Sequence, residues 1–431
     1  MKKLMILAAA AAVLMSCGGN RDEILKVYNW SDYIDESVLP EFEEWYKQQT
    51  GETIHVVYQT FDVNETMLSK IEKGHEDYDV VCPSDYIIER MLNNGLLQPL
   101  DFASIPDEIN YIEKNRSPYI QEMFRSINPS IDANDYSVAY MWGTTGIIYN
   151  TEKVTREEAS TWDIIRNPKF AGQVLIKDAP RDVYGPVLIY LKQKELQEGS
   201  ITLQELMWDS SDESIAAVEN YLKQVKDGVL GWEADFGKDQ MTKGRGVVSL
   251  NWSGDGVWAI QEAAEVGVSL DYVVPKEGST VWFDGWVIPK YAKNVKAASY
   301  FIDFMCRPDI VIRNMEETGY VASSGAWEVL ESQIDESLDP INLTYFFGPE
   351  ADSVRVDPVL YPPQEVIDVC ALEHDWGEDT EKLLAMWSRV KGDNASGLTY
   401  VIIGVAVAAI IAALVFTNKN RKRRRRRSYR K

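Results

Sequence analysis

Short apolar segments alternate with helical patterns between residues 24 and 95, and this alternation restricts the fold more than any other feature of the chain. The strand-like segments are residues 24–27, 53–58 and 79–83. Each is followed by a stretch with apolar residues at helical spacing, which ends at Gly51, Gly74 or Gly95. Parallel strands need such helical crossovers between them, so the pattern predicts an α/β fold with a parallel sheet.

A second α/β unit is predicted between residues 136 and 275, and acidic and aromatic residues follow strands in both units. In a parallel sheet the loops after the strands emerge at one edge, where ligands bind. Four carboxylates and six rings are predicted to collect at strand ends: Asp32, Asp182, Asp255 and Asp284, with Trp30, Trp252, Trp282, Tyr33, Tyr86 and Tyr320. Two further acids, Asp62 and Asp85, are expected to cap helices, because each stands just before a helical segment.

Carboxylates beside flat rings suit an organic cation such as a linear diamine. Each ammonium end needs a carboxylate, and rings around the stem exclude water and add a cation–π energy of about 0.5–2 kcal/mol. Paired carboxylates could instead be the acid and base of a glycosidase, with the rings as sugar platforms, and side-chain chemistry alone does not separate the two. Two α/β halves favour a closing clamp over a barrel, and neither a Gly-rich phosphate loop after the first strand nor a nucleophile elbow is present.

Net charge narrows the possible partners. The whole chain carries −23, and the ten Lys and Arg residues after Asp393 are not accompanied by any acid, which leaves −33 before them. Such a charge argues against nucleic acid as a general partner and suits a cationic ligand. Acidity that only keeps the protein soluble explains the charge equally well.

The N-terminus has the form of a targeting segment. Lys2 and Lys3 precede an apolar run, and Leu14–Cys17 has the form of a bacterial lipobox. We therefore predict a lipoprotein signal peptide at residues 1–16, lipidation of Cys17 after cleavage, and a tether at residues 17–23. The alternative is a simple secreted protein in which Cys17 lies just outside the cleavage site.

The C-terminus carries a second membrane signal. Residues 398–416 contain no charged residue and are long enough to cross a bilayer as a transmembrane helix, with residues 392–397 as a linker. The basic residues within 417–431 predict a cytoplasmic tail, which places the globular part outside the cytoplasm. A tail that binds RNA or anionic lipid is the less favoured alternative.

The cysteines and histidines do not form a recognisable metal or catalytic pattern. Cys82, Cys306 and Cys370 match no metal motif and do not indicate a disulfide framework, although the sequence leaves open whether two of them pair. The three histidines are scattered along the chain, so neither a metal site nor a histidine-based triad is predicted. We accordingly predict no cofactor.

Five motifs in order give the chain a family resemblance. They are Tyr28–Tyr33, Val80–Ser84, Tyr140–Gly146, Val274–Gly278 and Arg307–Asp309. In these motifs the chain resembles the spermidine- and putrescine-binding proteins of bacterial polyamine ABC importers, from about Leu25 to about Gly392. The resemblance implies a two-lobe fold of the periplasmic-binding-protein type II class, with a hinge and an interlobe cleft. Lobe 1 is then residues 24–135 and 276–320, and lobe 2 is residues 136–275 and 321–391.

The resemblance also implies which residues bind the ligand. It adds Ser31 and Ser84 to the rings and carboxylates collected above. Asp182 stands where the family has a Glu, so its reach is shorter, and Glu373 aligns with a polar residue of the cleft. The family alone does not decide between putrescine and spermidine for this chain.

The function that the resemblance implies is capture of a polyamine for an ABC permease in the inner membrane. The chain is then not an enzyme, is a monomer without nucleic-acid partners, and lies at the periplasmic face of the inner membrane, held by lipid, by the helix or by both. A membrane-tethered polyamine sensor is the first alternative. A carbohydrate-binding or carbohydrate-active protein is the second and less favoured one.

Overall fold

The computed structural model describes residues 20–101, 105–233 and 236–392. Its strands are β1 (Ile24–Trp30), β2 (His55–Phe61), β3 (Val80–Val81), β4 (Leu97–Gln98), β5 (Ser137–Asn150), β6 (Val174–Lys177), β7 (Val229–Glu233), β8 (Val248–Trp252), β9 (Leu270–Val273), β10 (Ser279–Pro289), β11 (Val321–Ala322) and β12 (Cys370–Leu372). Its α-helices are α1 (Val38–Thr50), α2 (Asn64–Glu72), α3 (Asp85–Asn93), α4 (Tyr111–Lys114), α5 (Pro118–Ile127), α6 (Arg156–Ala159), α7 (Pro180–Leu191), α8 (Gln193–Gln197), α9 (Leu203–Met207), α10 (Asp212–Val225), α11 (Phe236–Thr242), α12 (Ser253–Glu265), α13 (Val295–Phe304), α14 (Pro308–Thr318), α15 (Trp327–Ser332), α16 (Thr344–Phe347), α17 (Gln364–Ile367) and α18 (Thr380–Lys391).

The strands form one mixed sheet with the order β2-β1-β3-β10-β5-β8-β6-β7. β1 pairs in parallel with β2 and β3, and β6 pairs in parallel with β7 and β8, as the alternating pattern predicts. β10, however, is antiparallel to β3 and β5, and β5 is antiparallel to β8. Parallel pairing is therefore confirmed within each half, whereas the two middle strands, β10 and β5, run in opposite directions between the halves.

Buried side chains divide the molecule into two lobes. The first lobe has its core around β1, β3 and the outer half of β10, with Tyr28, Val81 and Phe301 fully or almost fully buried. The second lobe has its sheet covered on both faces, since Ile147 and Ile148 of β5 point into two different cores. This arrangement follows from the period of two that a strand imposes on its side chains.

The lobe boundaries stay a prediction, with one difference from the packing. Residues 321–391 were assigned to lobe 2, whereas Val321, Phe346 and Tyr361 pack in the core of the first lobe. The last helix, α18, does pack in the second lobe through Leu383, Met386 and Trp387. The chain after Tyr320 thus returns to the first lobe before it ends in the second.

β5 and β10 connect the two lobes. β5 has buried residues of the first lobe at Tyr140–Trp142 and of the second lobe at Ile147 and Tyr149. β10 pairs with it from Val281 opposite Thr144 to Val287 opposite Ser137. β5 therefore contributes buried side chains to the cores of both lobes.

The prediction of a C-terminal transmembrane helix is not supported by the structure. In residues 20–101, 105–233 and 236–392, no helix is both long and apolar enough to cross a bilayer. The assigned segment 398–416 lies outside these residues, as do the signal peptide at 1–16, Cys17 and the basic tail at 417–431.

Candidate functional site

Asp284 lies in β10 at an irregularity of the strand. The register between β10 and β5 shifts between Phe283 and Gly285, and a bulge of this kind redirects the side chain that it holds. The hydroxyl groups of Tyr33 and Ser84 donate hydrogen bonds to the two carboxylate oxygens at 2.8 and 2.7 Å. The Asp284 residue is only 6% exposed. The first lobe therefore binds and orients a carboxylate that is largely removed from water.

The Asp284 carboxylate lacks a countercharge. Burial is the main reason that its pKa is raised to about 6, the negative charge of Asp182 adds to the increase, and the hydrogen bonds from Ser84 and Tyr33 oppose it. Within the described part of the chain, no cationic side chain contributes to this shift. A positively charged ligand group would stabilise the ionised carboxylate, because opposite charges within a few ångströms favour the charged form.

Four rings form a row from the second lobe to the first, beside the two carboxylates Asp255 and Asp284. The ring centroids of Trp252 and Trp282 are 6.3 Å apart, those of Trp282 and Tyr320 5.7 Å, and those of Tyr320 and Tyr33 5.4 Å. All three pairs have edge-to-face geometry, which is favourable for aromatic side chains. The row provides negatively polarised ring faces along the junction of the lobes, as a cationic ligand with an apolar stem requires.

Asp182 brings a second acid to the site from the start of α7. Its carboxylate accepts a hydrogen bond from the indole Nε1 of Trp252 at 2.7 Å. Burial raises the pKa of Asp182, against the hydrogen bond from Trp252 and the charges of Lys177 and Arg181. Because Asp182 also raises the pKa of Asp284, the two acids repel each other when both are ionised.

Tyr86 and Arg181 place the two lobes in contact across the site. The Arg181 guanidinium of α7 lies 4.4 Å from the centroid of the Tyr86 ring in α3. Asn64 donates hydrogen bonds to the Ser84 and Tyr86 hydroxyls at 3.0 and 3.1 Å. Asn64 is the first residue of α2, and its side chain supports these two hydroxyls.

Glu373 follows β12 and supplies a third buried acid. It is 6% exposed, and its Oε1 atom has no hydrogen-bond partner in the part of the chain that the structure describes. Burial raises the pKa of Glu373 well above its usual value, the charges of Asp182 and Asp85 raise it further, and Arg181 opposes them. A carboxylate oxygen buried without a partner costs free energy that a ligand donor can recover.

Asp255 differs from the other acids because it already has a countercharge. Lys177 Nζ is 2.8 Å from its Oδ2 atom, Lys238 Nζ is 3.7 Å from its Oδ1 atom, and the Tyr320 hydroxyl donates to Oδ1 at 3.1 Å. Burial raises the pKa of Asp255, but the two lysine charges outweigh burial and hold that pKa below its usual value. The sequence reasoning missed Lys177, although a lysine that ends the apolar strand Val174–Lys177 was a visible signal.

Three predicted residues at the end of β1 and just after it have other contacts. Trp30 packs on Phe61 with ring centroids 4.6 Å apart, and its buried indole Nε1 has no hydrogen-bond partner among the described residues. Ser31 donates a hydrogen bond to Asp62 at 2.8 Å. Asp62 accepts this bond instead of capping α2 as predicted. Asp32 is exposed and has a left-handed backbone with φ of 52°.

Asp85, the other acid expected to cap a helix, is buried behind the site. Its carboxylate accepts hydrogen bonds from the backbone N–H of Tyr86 at 2.7 Å and of Phe283 at 3.1 Å. It thereby ties the first turn of α3 to β10 next to Asp284. Burial raises its pKa well above the usual value, against these two bonds.

The contacts therefore join most of the predicted residues in one network. Those joined are Tyr33, Ser84, Tyr86, Asp182, Trp252, Asp255, Trp282, Asp284 and Tyr320. Their role as ligand contacts stays a prediction. Among residues 20–392, apart from the gaps at 102–104 and 234–235, no group of His, Cys and acidic side chains is arranged to hold a metal ion. Cys82, Cys306 and Cys370 are all free thiols.

Comparison with known proteins gives the same family along most of the chain. The family model for bacterial extracellular solute-binding proteins matches residues 41–326. The putrescine-binding periplasmic protein PotF of Escherichia coli is 30% identical, over 84% of this chain and 89% of that protein. The spermidine/putrescine-binding periplasmic protein of Escherichia coli is also 30% identical, over 86% of this chain and 93% of that protein.

Solved structures agree with the sequence comparison. A putative spermidine/putrescine ABC transporter protein from Listeria monocytogenes superposes with a TM-score of 0.68 at 31% identity, covering 86% of this chain and 99% of that one. The substrate-binding protein PotD from Streptococcus pneumoniae gives a TM-score of 0.62 at 28% identity, covering 86% and 98%. The two-lobe part of the predicted fold class is thereby confirmed. The chain belongs to the family of bacterial extracellular solute-binding proteins, and it is similar to the putrescine- and spermidine-binding periplasmic proteins named above.

Proposed function

We propose that this chain is the extracytoplasmic solute-binding component of a polyamine ABC importer and that it holds putrescine or spermidine between its lobes. The observation that carries the proposal is the Asp284 carboxylate, which is buried, bonded by two hydroxyls and without a countercharge among the described residues. The names of the relatives, which refer to putrescine and spermidine binding, support the same conclusion.

The mechanism follows from electrostatics at the junction of the lobes. One ligand ammonium pairs with Asp284 and donates to oxygens that Tyr33 and Ser84 already orient. A second ammonium lies near Asp182 and Glu373, whose mutual repulsion it relieves. The apolar stem lies along the rings of Trp282 and Tyr320, which keep water away from both ion pairs.

The remaining predicted residues act at the edge of the cleft. Three of them lie at the end of β1 and just after it, and they contact the ligand from the first lobe when the lobes close: Trp30, Ser31 and Asp32. Tyr86 completes this side, where Arg181 of the second lobe rests on its ring. Binding then shifts an open two-lobe ensemble toward the closed state, because only the closed state offers contacts from both lobes.

The partners follow from this role. The closed, ligand-loaded form delivers its ligand to ABC permease subunits in the inner membrane, and the chain itself catalyses no reaction. It acts as a monomer at the periplasmic face, held there by lipid on Cys17. Uptake of radiolabelled polyamine by cells with and without the gene separates an importer component from a sensor, since a sensor binds polyamine without changing its uptake.

The binding site is tested by calorimetry with putrescine, spermidine and cadaverine. Asp284→Asn should weaken polyamine binding by about 2–5 kcal/mol, as expected when one partner of a buried charge pair is removed. Asp107→Asn is the matched control, because Asp107 is exposed in the first lobe. Wild-type protein that binds no polyamine would refute the function. Equal affinities of the wild type and Asp284→Asn would refute the site.

A further inference from the structure

Lys177 is a buried lysine at the junction between the sheet of the second lobe and the proposed site. It is the last residue of β6, opposite Glu233 in the parallel register with β7. Only 3% of its side chain is exposed. Its Nζ atom lies 2.8 Å from Asp255 Oδ2, 3.5 Å from Glu233 Oε1 and 4.1 Å from the centroid of the Trp252 ring.

These surroundings are those of an ammonium-binding subsite. Two carboxylates supply the charge, and the indole face of Trp252 supplies a cation–π contact. Glu233 is oriented by hydrogen bonds from Asn251 and from the Gly237 backbone, both at 2.9 Å. Asp255 is oriented by the Tyr320 hydroxyl in the same way that Asp284 is oriented by Tyr33. The arrangement around Asp284 thus recurs around Asp255, with Lys177 as the bound cation.

We propose that Lys177 occupies one ammonium subsite of the cleft and thereby makes this chain prefer diamines to triamines. The proposal rests on the polyamine-binding function proposed above. Putrescine carries two ammonium groups and spermidine three, so a site with one subsite already filled by the chain itself matches the shorter ligand. A ligand ammonium cannot readily displace Lys177, because its tether keeps the local concentration of this cation high.

Asp255 then acts on the ligand through Lys177. Removal of the lysine takes one positive charge away from Asp255 and Glu233 beside Trp252, and an additional ligand ammonium can replace that charge. Removal of the Asp255 charge takes one negative partner away from Lys177, which adds positive charge to a cation site. The two substitutions should therefore change the preference between triamine and diamine in opposite directions.

The test measures dissociation constants for putrescine and spermidine by calorimetry at pH 7. Lys177→Met should change the ratio of the two constants in favour of spermidine by about tenfold or more. Asp255→Asn should change the ratio in favour of putrescine. Lys169→Met is the control, because it removes a lysine from an exposed ion pair with Glu158 in the same lobe, and its ratio should equal that of the wild type.

A double variant keeps the test decisive if Lys177→Met does not fold. Lys177→Met with Asp255→Asn removes both charges of the ion pair. Its preference for spermidine over putrescine should therefore lie between the preferences of the wild type and of Lys177→Met, and should be clearly stronger than that of Asp255→Asn. A ratio that is unchanged in folded Lys177→Met, or equal in the double variant and Asp255→Asn, would overturn the role of Lys177. Wild-type protein without affinity for either polyamine would instead overturn the underlying function.

Discussion

Acidification should weaken polyamine binding through the protonation of Asp284. Burial, aided by the charge of Asp182, raises the pKa of this carboxyl from 3.8 to about 6 in the ligand-free protein. With that pKa the ionised fraction is about 0.9 at pH 7 and about 0.1 at pH 5. Because only the carboxylate pairs with an ammonium, the dissociation constant should rise about tenfold over this range, which is about 1.4 kcal/mol.

The assay is calorimetry between pH 5 and pH 8, with the wild type and Asp284→Asn in parallel. Aliphatic ammonium groups with a pKa of about 10 stay charged throughout this range, so the ligand does not contribute to the change in the dissociation constant. Asp182, Glu373 and Asp85 also have raised pKa values and face the same region, so the wild type can lose more than the contribution of Asp284. The difference between the two profiles isolates Asp284. Parallel profiles would refute the reasoning.

Two further predictions concern stability and packing. The pKa of the Asp284 carboxyl is higher in the folded protein than in the unfolded chain. Its ionisation therefore destabilises the ligand-free protein increasingly as pH rises from about 4 to about 6, and the loss of folding free energy is about 3 kcal/mol at pH 7. Asp284→Asn should therefore raise the melting temperature at pH 7 but not near pH 4; an equal increase at both values would contradict this. Gly254→Ala should weaken polyamine binding, because its Cβ would overlap the Tyr320 ring, whereas the control Gly228→Ala meets no atom closer than 3.9 Å. Calorimetry that gives both variants wild-type affinity would exclude a contact through Tyr320.

Local patterns predicted several elements closely. α3, Asp85–Asn93, is the helix predicted between residues 79–83 and Gly95, because its apolar residues are spaced for one buried face. The strands before Trp30 and Trp252 were also expected, and their aromatic ends do meet at the site. These features depend on neighbours within a few residues, which is what a linear pattern records.

The connecting strands were predicted less well. The sequence pattern does not predict the length of β5, which runs over fourteen residues, from Ser137 to Asn150. Most of β5 is buried on both faces, so it lacks the alternation of polar and apolar residues that identifies a strand. Its antiparallel partner β10 is more than a hundred residues away, and nothing local indicates their pairing.

The sequence by itself determined the kind of chemistry, since acids and indoles after strands of an α/β fold favour an organic cation. Only the tertiary structure decided which acid keeps its charge available for a ligand. Asp255 and Asp284 look alike in the sequence. In the structure, Lys177, which is 78 residues from Asp255 along the chain, neutralises Asp255 but not Asp284. The physical reason is that a countercharge acts through distance in space, which the order of residues does not contain.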